Sequence, residues 1–166
     1  MVDIREATIL DLPAMLDIYN YAIRHLTATF DIEVQTLDKR KIWFDSHDEK
    51  YPLIVAERNG EVVGYCCLSS FRAKPAYSKT TEISIYISQT QQGYGIGSAL
   101  MKEIIRRAID LGYHTIIAGI TGGNEGSVKL HKKFGFEFVG CFKEVGFKFG
   151  EWQDVDFYQL MINNRT

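Results

Sequence analysis

Six residues in the middle of the chain, Gln92-Gly93-Tyr94-Gly95-Ile96-Gly97, constrain its fold more than any other stretch. They join an alternating segment, Glu82-Ile83-Ser84-Ile85-Tyr86-Ile87-Ser88, to a helical run from about Gly97 to Gly112. In the alternating segment, Ile83, Ile85 and Ile87 share one face of a strand, and Glu82, Ser84 and Tyr86 share the other. In the helical run, Lys102, Glu103, Arg106, Arg107 and Asp110 form a polar stripe opposite an apolar face. A glycine-dense turn that feeds a helix leaves free N–H groups at the positive end of the helix dipole. Such a turn is suited to an anion, most often a phosphate.

The spacing separates three kinds of glycine loop. A Walker loop ends in Gly-Lys-Ser/Thr, whereas Gly97 is followed by Ser98-Ala99. A dinucleotide fingerprint, G-x-G-x-x-G, counted from Gly93 puts Ser98 in the sixth place, and the strand Tyr113–Ile120 has no acid at its end. Gln-x-x-Gly-x-Gly is met by Gln92, Gly95 and Gly97. That pattern, with its flanking strand and helix, resembles the pyrophosphate loop of the GNAT acetyltransferases. A glycine-rich turn that binds nothing is the plain alternative for the six residues alone.

At 166 residues the chain is expected to make a single domain, 1–166, with room for a real core. A formal net charge of −2 gives no support to a nucleic-acid or acidic-membrane partner. Lys129, Lys132 and Lys133 form a local basic group, read as a solvated helix face or as an aid to phosphate binding. Cys66 and Cys67 are neighbours on a strand and Cys141 is distant, so neither a disulfide framework nor a metal spacing is present, and a cytoplasmic setting is expected. The chain opens directly into the strand-like Val2-Asp3-Ile4-Arg5, so no signal peptide is expected, and it holds no apolar run of membrane length.

Residues 2–6 read as a strand, and Thr8 as the cap of a helix with Leu12, Met15, Leu16, Tyr19, Ala22, Ile23 and Leu26 on one face. A weaker helix spans about Asp38 to Asp48. Leu53–Glu57 and Val62–Leu68 read as strands joined by Arg58-Asn59-Gly60-Glu61, whose Asn-Gly pair suits a type I′ hairpin. A loop covers 71–81 and a strand Thr81–Ser88. Asn124–Phe134 reads as a short helix closed by Gly135, and 136–149 and 152–162 as long strands around Gly150. The order β-α-α-β-β-β-α-β-α-β-β implies an α+β fold, a sheet with helices packed on it. It is also the order of the GNAT fold, whose mixed, mostly antiparallel sheet is therefore expected.

Acetyl transfer to an amine needs a base for the amine, stabilisation of the thioester oxyanion, and a proton for the leaving thiolate. Glu82 is the candidate base, since burial can raise a carboxyl's pKa. Its setting, Thr80-Thr81-Glu82, is similar to the Thr-Val-Glu of the phosphinothricin and methionine-sulfone acetyltransferase branch, where that glutamate is credited with base catalysis. Leu130-His131-Lys132-Lys133-Phe134-Gly135-Phe136 resembles the branch's Leu-His-x-x-x-Gly-aromatic frame, which implies His131 as the thiolate's acid; the alternative is a packed histidine bonded to a carbonyl. Asn124 and Ser127 suit a helix cap, and the resemblance adds contact with CoA. It implies a CoA-binding set of Ile85, Tyr86, Ile87, Gln92, Gly93, Tyr94, Gly95, Ile96, Gly97, Ser98, Asn124 and Ser127, with the pantetheine arm along 85–87.

For the acceptor, Phe71-Arg72-Ala73-Lys74-Pro75-Ala76-Tyr77 is similar to an aromatic-Lys-Ala-Arg-x-Ala-Tyr stretch of the branch, with the two basic types exchanged. Arg72, Lys74 and Tyr77 are thus candidate acceptor residues beside Glu82, and Phe30 a candidate wall that also suits a core position. Two cations there fit an amino acid with a second anionic or strongly polar group. Gly146-Phe147-Lys148-Phe149-Gly150-Glu151-Trp152-Gln153-Asp154-Val155 resembles the branch's Gly-x-Lys-x-Gly-x-Trp-x-Asp-Val, and implies a homodimer. The resemblance covers nearly the whole chain. It implies direct transfer from acetyl-CoA to the α-amino group of a small acceptor such as methionine sulfone, methionine sulfoximine or phosphinothricin, with no metal. A GNAT acting on a protein N-terminus, polyamine or aminoglycoside, and a non-catalytic acetyl-CoA sensor, are the alternatives.

Overall fold

In β2 (Leu53–Arg58), Leu53 and Val55 face one side of the sheet and Ile54 and Ala56 the other, all of them buried. A strand apolar on both faces needs a layer on each side. The computed structural model describes residues 1–162 and supplies both layers. Around β2 the elements are β1 (Val2–Glu6), α1 (Leu12–His25), α2 (Leu37–Asp45), β3 (Glu61–Ser70), β4 (Thr80–Ile87), α3 (Ile96–Asp110), β5 (Thr115–Thr121), α4 (Glu125–Lys133), β6 (Glu137–Lys148) and β7 (Glu151–Met161). They form a seven-stranded sheet in the order β1-β2-β3-β4-β5-β7-β6, antiparallel except between β4 and β5. This is the α+β, mostly antiparallel architecture expected from the sequence.

Helices α1 and α2 cover the face that carries Leu53, Val55, Tyr65 and Cys67. Helices α3 and α4 cover the face that carries Ile54, Cys66, Leu68, Ile83 and Ile116. Cys66 and Cys67 therefore sit in different cores, as alternation requires. Asn59 (φ 54°) and Gly60 (φ 79°) both adopt the left-handed region that the expected hairpin turn needs.

Several boundaries differ from the sequence reading. The first turn before α1 is a short 3-10 turn, Ile9–Asp11, because Asp11 bonds back to the Thr8 N–H (2.8 Å). Helix α2 stops at Asp45, where the Ser46 N–H turns back to Trp43 O (3.1 Å) and Asp48 caps the next turn through the N–H groups of Lys50 and Tyr51. Strand β3 runs on to Ser70, and β4 starts at Thr80 after a 3-10 turn at Pro75–Tyr77. Helix α3 starts at Ile96, with Gly95 (φ 75°) at its cap. Strand β5 starts at Thr115, since the Tyr113 N–H still bonds to Ala108 O (3.0 Å) at the end of α3.

One feature of the sheet positions everything that follows. Strand β4 pairs with β3 along its length, from Ser70↔Thr81 to Gly64↔Ile87. On its other edge it pairs with β5 only at Thr80–Glu82 against Thr115–Ile117. Beyond that point β4 and β5 part, while β5 stays paired with β7 through Thr121↔Val155. The β5-side edge of β4 from Ile83 to Ile87 is left without a strand partner.

The segment after α1 is tied down beside this fork. Thr121 Oγ1 donates to Thr27 O (2.6 Å), and Tyr86 Oη donates to Ala28 O (3.3 Å). Lys148, 3% exposed, donates from Nζ to Leu26 O and Thr29 O, each at 2.7 Å, and to Ala22 O at 3.5 Å. Burial lowers its pKa. Phe30 lies flat on Gly146, where a Cβ would fall 2.4 Å from the ring.

Candidate active site

The fork opens into a groove of about 700 Å³ between β4, the glycine loop, the start of α4 and one side of α1. The first backbone bond of α3 runs from Ala99 N to Gly95 O (3.1 Å), so the N–H groups of Ile96, Gly97 and Ser98 have no acceptor in the helix. Gly93 (φ 84°) and Gly95 (φ 75°) hold the loop in the left-handed region. Gly97 answers a different need. A Cβ there would fall 3.0 Å from Leu130 and 3.1 Å from Ile87, so its absence lets α3 approach α4 and β4. Lys133 Nζ donates to Ser98 Oγ (2.9 Å), which brings a cation to the same helix end. Free amides, a helix N-terminus and a nearby ammonium fit a pyrophosphate, and the unpaired edge of β4 fits an extended amide-bearing arm.

Of the twelve CoA-binding residues expected from the sequence, eleven line this groove. Tyr94 is the exception: its ring lies under the Arg58 guanidinium (3.9 Å), away from the groove. Asn124 caps α4 by accepting from Ser127 N–H (3.2 Å) and lines the groove as well, so both readings of it hold geometrically. The sequence reading missed the α1 wall, built by Ile18, Tyr21, Ala22 and Leu26. Ala22 and Leu26 were assigned to the core stripe, and the off-stripe aromatic Tyr21, 37% exposed, was the available signal.

Glu82 closes the pairing of β4 with β5, opposite Ile117, and is half-buried. Its carboxylate has no hydrogen-bond partner among the described residues. Burial pushes its pKa up, and the nearby Arg72 guanidinium pulls it part of the way back. A carboxylate in that state is suited to take a proton from an amine.

The 71–79 segment is an exposed loop. Phe71 and Tyr77 meet edge-on, with ring centroids 5.6 Å apart, and Arg72 lies 4.8 Å from the Phe71 ring centre. Arg72 thus lies close enough to Glu82 for its charge to act there, while Tyr77 is held on the same loop by Phe71. Lys74 caps the 3-10 turn, its carbonyl accepting from the Tyr77 N–H (3.0 Å), and its exposed side chain makes no hydrogen bond or ion pair with any described residue. Phe30 is 38% exposed and packs on the β6–β7 hairpin, so its core reading does not hold.

His131 is where sequence and structure part. The ring is 3% exposed, packs edge-on against Phe136 (5.0 Å), and does not line the groove. Its Nδ1 lies 2.7 Å from Ser127 O. A carbonyl only accepts, so Nδ1 carries the proton and Nε2 the lone pair. Burial also lowers its pKa. A neutral ring in this tautomer has no proton to give from Nε2, so the geometry fits the packed, carbonyl-bonded histidine rather than the acid.

The cysteines follow the sequence reading. Cys66 and Cys67 are buried, and burial raises both thiols, Cys67 to about 12. Cys141 is exposed. Among the described residues no cluster of metal-ligating side chains occurs, and no helix is long and apolar enough to cross a membrane.

The chain is similar to known proteins along its whole length. The profile of the acetyltransferase (GNAT) domain matches residues 4–156. The L-methionine sulfoximine/L-methionine sulfone acetyltransferase of Pseudomonas aeruginosa is 39% identical over 162 residues, which cover 96% of this chain and 94% of that protein. The phosphinothricin N-acetyltransferase of Streptomyces coelicolor is 39% identical over 162 residues, 95% of each chain. A GNAT superfamily phosphinothricin acetyltransferase from Sinorhizobium meliloti, solved in complex with acetyl-CoA, superposes with a TM-score of 0.94 at 35% identity, covering 99% of this chain and 90% of that one.

Proposed function

Because this chain belongs to the GNAT acetyltransferase family, we propose that it acetylates the α-amino group of a small amino acid of the methionine sulfone, methionine sulfoximine or phosphinothricin kind. It is an N-acetyltransferase, and acetyl-CoA is its donor. The acceptor is our reading. It is supported by what the Pseudomonas and Streptomyces relatives act on and by the cationic Arg72 beside Glu82.

The observation that carries this reading is the position of Glu82, an unpartnered carboxylate at the point where β4 and β5 part. Acetyl-CoA supplies a thioester carbonyl. In the proposed reaction Glu82 takes one proton from the acceptor ammonium, directly or through a water. The freed amine nitrogen forms its bond to the carbonyl carbon, and an N–H on the open edge of β4 receives the oxyanion. As the carbon–sulfur bond breaks, the nitrogen gives up its second proton and the departing sulfur takes one up. The loop amides before Ala99 hold the pyrophosphate in place. Arg72 and Lys74 are assigned to the polar head of the acceptor side chain.

We further propose a homodimer formed through the β6–β7 hairpin. Strand β6 is an edge of the sheet, and Phe138, Phe142, Phe147, Phe149 and Trp152 are each more than half exposed on this hairpin. An apolar edge of that length is an association surface. A cytoplasmic location belongs to the same reading and is supported by the buried thiols of Cys66 and Cys67, which suit a reducing compartment.

Thiol release from acetyl-CoA tests the acceptor. Methionine sulfone, methionine sulfoximine and phosphinothricin are expected to be turned over well above ordinary amino acids, spermidine, an aminoglycoside and a short peptide. Turnover confined to the last three would remove the amino-acid acceptor. Silence with all of them, in protein that acetyl-CoA still stabilises, would turn the reading to a sensor.

A further inference from the structure

On the α1–α2 side of the sheet lies a second cavity, of about 440 Å³. Its most unusual wall is Arg40 of α2, which is only 4% exposed. The guanidinium is held between two rings, 3.8 Å from the centre of Tyr19 and 3.6 Å from that of Trp43. Nη2 donates to Tyr65 Oη (3.0 Å), while Nε is buried with no partner. Asp31 lines the same cavity and accepts from Tyr19 Oη, but no carboxylate among the described residues forms an ion pair with Arg40 itself. A buried cation is costly unless something supplies the counter-charge. Here the protein fixes the fork of donors and leaves part of it facing an open cavity.

The cavity adjoins the candidate base. Ser84 and Tyr86 line it and share their strand face with Glu82. One pleat, about 6.6 Å, separates Ser84 from Glu82 along the strand. Cys67, the cross-strand partner of Ser84, lies within reach of both charges, the positive one of Arg40 and the negative one of Glu82. The span between a carboxylate and the amine on the same carbon is short, so one small molecule can meet both. A guanidinium locked between rings presents a planar, bidentate face to a planar carboxylate. The exposed Arg72 and Lys74 are better placed for heads of varied shape.

We propose that this cavity anchors the acceptor and that Arg40 binds its α-carboxylate, which directs the α-amine to Glu82. The assignment rests on the amino-acid acceptor proposed above. It makes Arg40 a binding residue that selects free amino acids over amides and peptides.

The test compares wild type with Arg40→Met and Arg40→Lys, using methionine sulfone and its carboxamide as acceptors. In Arg40→Met the acceptor KM for methionine sulfone is expected to rise about tenfold or more, as for loss of a charge-assisted fork. The KM for acetyl-CoA and for the carboxamide should stay within about twofold, and Arg40→Lys should recover part of the loss. A second readout works without turnover. In a Trp152→Phe background, Trp43 is the remaining tryptophan. Methionine sulfone should change its emission with Arg40 present and not with Arg40→Met. An unchanged acceptor KM in folded Arg40→Met, or an equal rise for acid and carboxamide, overturns the Arg40 assignment alone. A wild-type enzyme that turns over no amino acid overturns both this assignment and the acceptor reading. If Arg40→Met does not fold, Arg40→Lys decides: a methionine sulfone KM equal to wild type, with unchanged Trp43 emission on binding, counts against the carboxylate contact.

Discussion

Glu82 and Ile117 form the last pair on the seam between β4 and β5. The seam's end puts Glu82 where the free edge of β4 begins, on the strand face it shares with Ser84 and Tyr86. A base so placed acts on the chemical step and not on donor binding. Glu82→Gln is expected to lower kcat by about 10²-fold or more at neutral pH. Acetyl-CoA affinity measured by calorimetry should be retained. Full turnover in Glu82→Gln would mean that a different group accepts the amine proton.

The same carboxylate sets a pH dependence. Burial raises its pKa in the folded enzyme, and Arg72 opposes that rise. A base works only when deprotonated, so activity should fall as pH drops through a value above that of an ordinary carboxyl. Removing the Arg72 charge takes away the opposing influence. In Arg72→Gln the acidic limb of kcat/KM should therefore move to higher pH. A shift to lower pH, or none, would mean that Arg72 does not act on Glu82. For stability the sign is the reverse of that of a salt-bridged acid. The raised pKa favours the folded state below the unfolded value, and this contribution is lost as pH rises through the folded one.

Gly95 caps α3 at φ 75°, with nothing within 4 Å of an added Cβ. The space is open, so the constraint is conformational. A β-branched residue in the left-handed region costs about 1–3 kcal/mol and is relieved by moving the loop. Gly95→Val should weaken acetyl-CoA binding about tenfold or more while the protein stays folded. Unchanged affinity would place the pyrophosphate elsewhere.

Much of this site can be read without coordinates. The glycine loop, the strand that bears Glu82 and the cap at Asn124 declare themselves because each is a local pattern, a turn, an alternation or a cap. Arg40 and Lys148 do not. Both are charged residues that composition assigns to the surface, and both are buried by contacts with distant parts of the chain. Helix α2 has almost no amphipathic periodicity to flag Arg40 as inward-facing. His131 shows the converse. Its sequence frame suggested chemistry, and only the Ser127 carbonyl reveals where its proton is held.

Lys148→Met would leave the carbonyls of Leu26 and Thr29 without their donor. Charged hydrogen bonds of this kind are worth roughly 1.5–3 kcal/mol each, offset by removal of a buried charge. A net loss of about 2 kcal/mol is expected, or about 4–8 °C in Tm for a chain of this size. Because Leu26 lines the donor groove, the KM for acetyl-CoA should rise too. A stable variant with normal KM would show the clamp to be dispensable.

Phe147 and Trp152 face each other across the hairpin with ring centroids 5.0 Å apart and planes tilted by 60°, and both are more than half exposed. Phe147→Asp puts a charge in the middle of the proposed interface. Sedimentation should give a dimer for wild type and a monomer for the variant. A wild-type monomer at micromolar concentration would remove the interface.

The Lys148 clamp also sets an order of events during synthesis. The carbonyls it holds belong to residues 22–29, more than a hundred positions earlier in the chain. Helix α1 can form as soon as it leaves the ribosome, and Tyr86 and Thr121 can bond residues 28 and 27 once β4 and β5 are made, but the carbonyls of Leu26 and Thr29 have no donor until the penultimate strand brings Lys148. The donor groove is thus finished from the opposite end of the chain. A truncated or stalled product that already contains the glycine loop and Glu82 would still lack a completed wall, so the enzyme gains its acetyl-CoA site only when translation is nearly done.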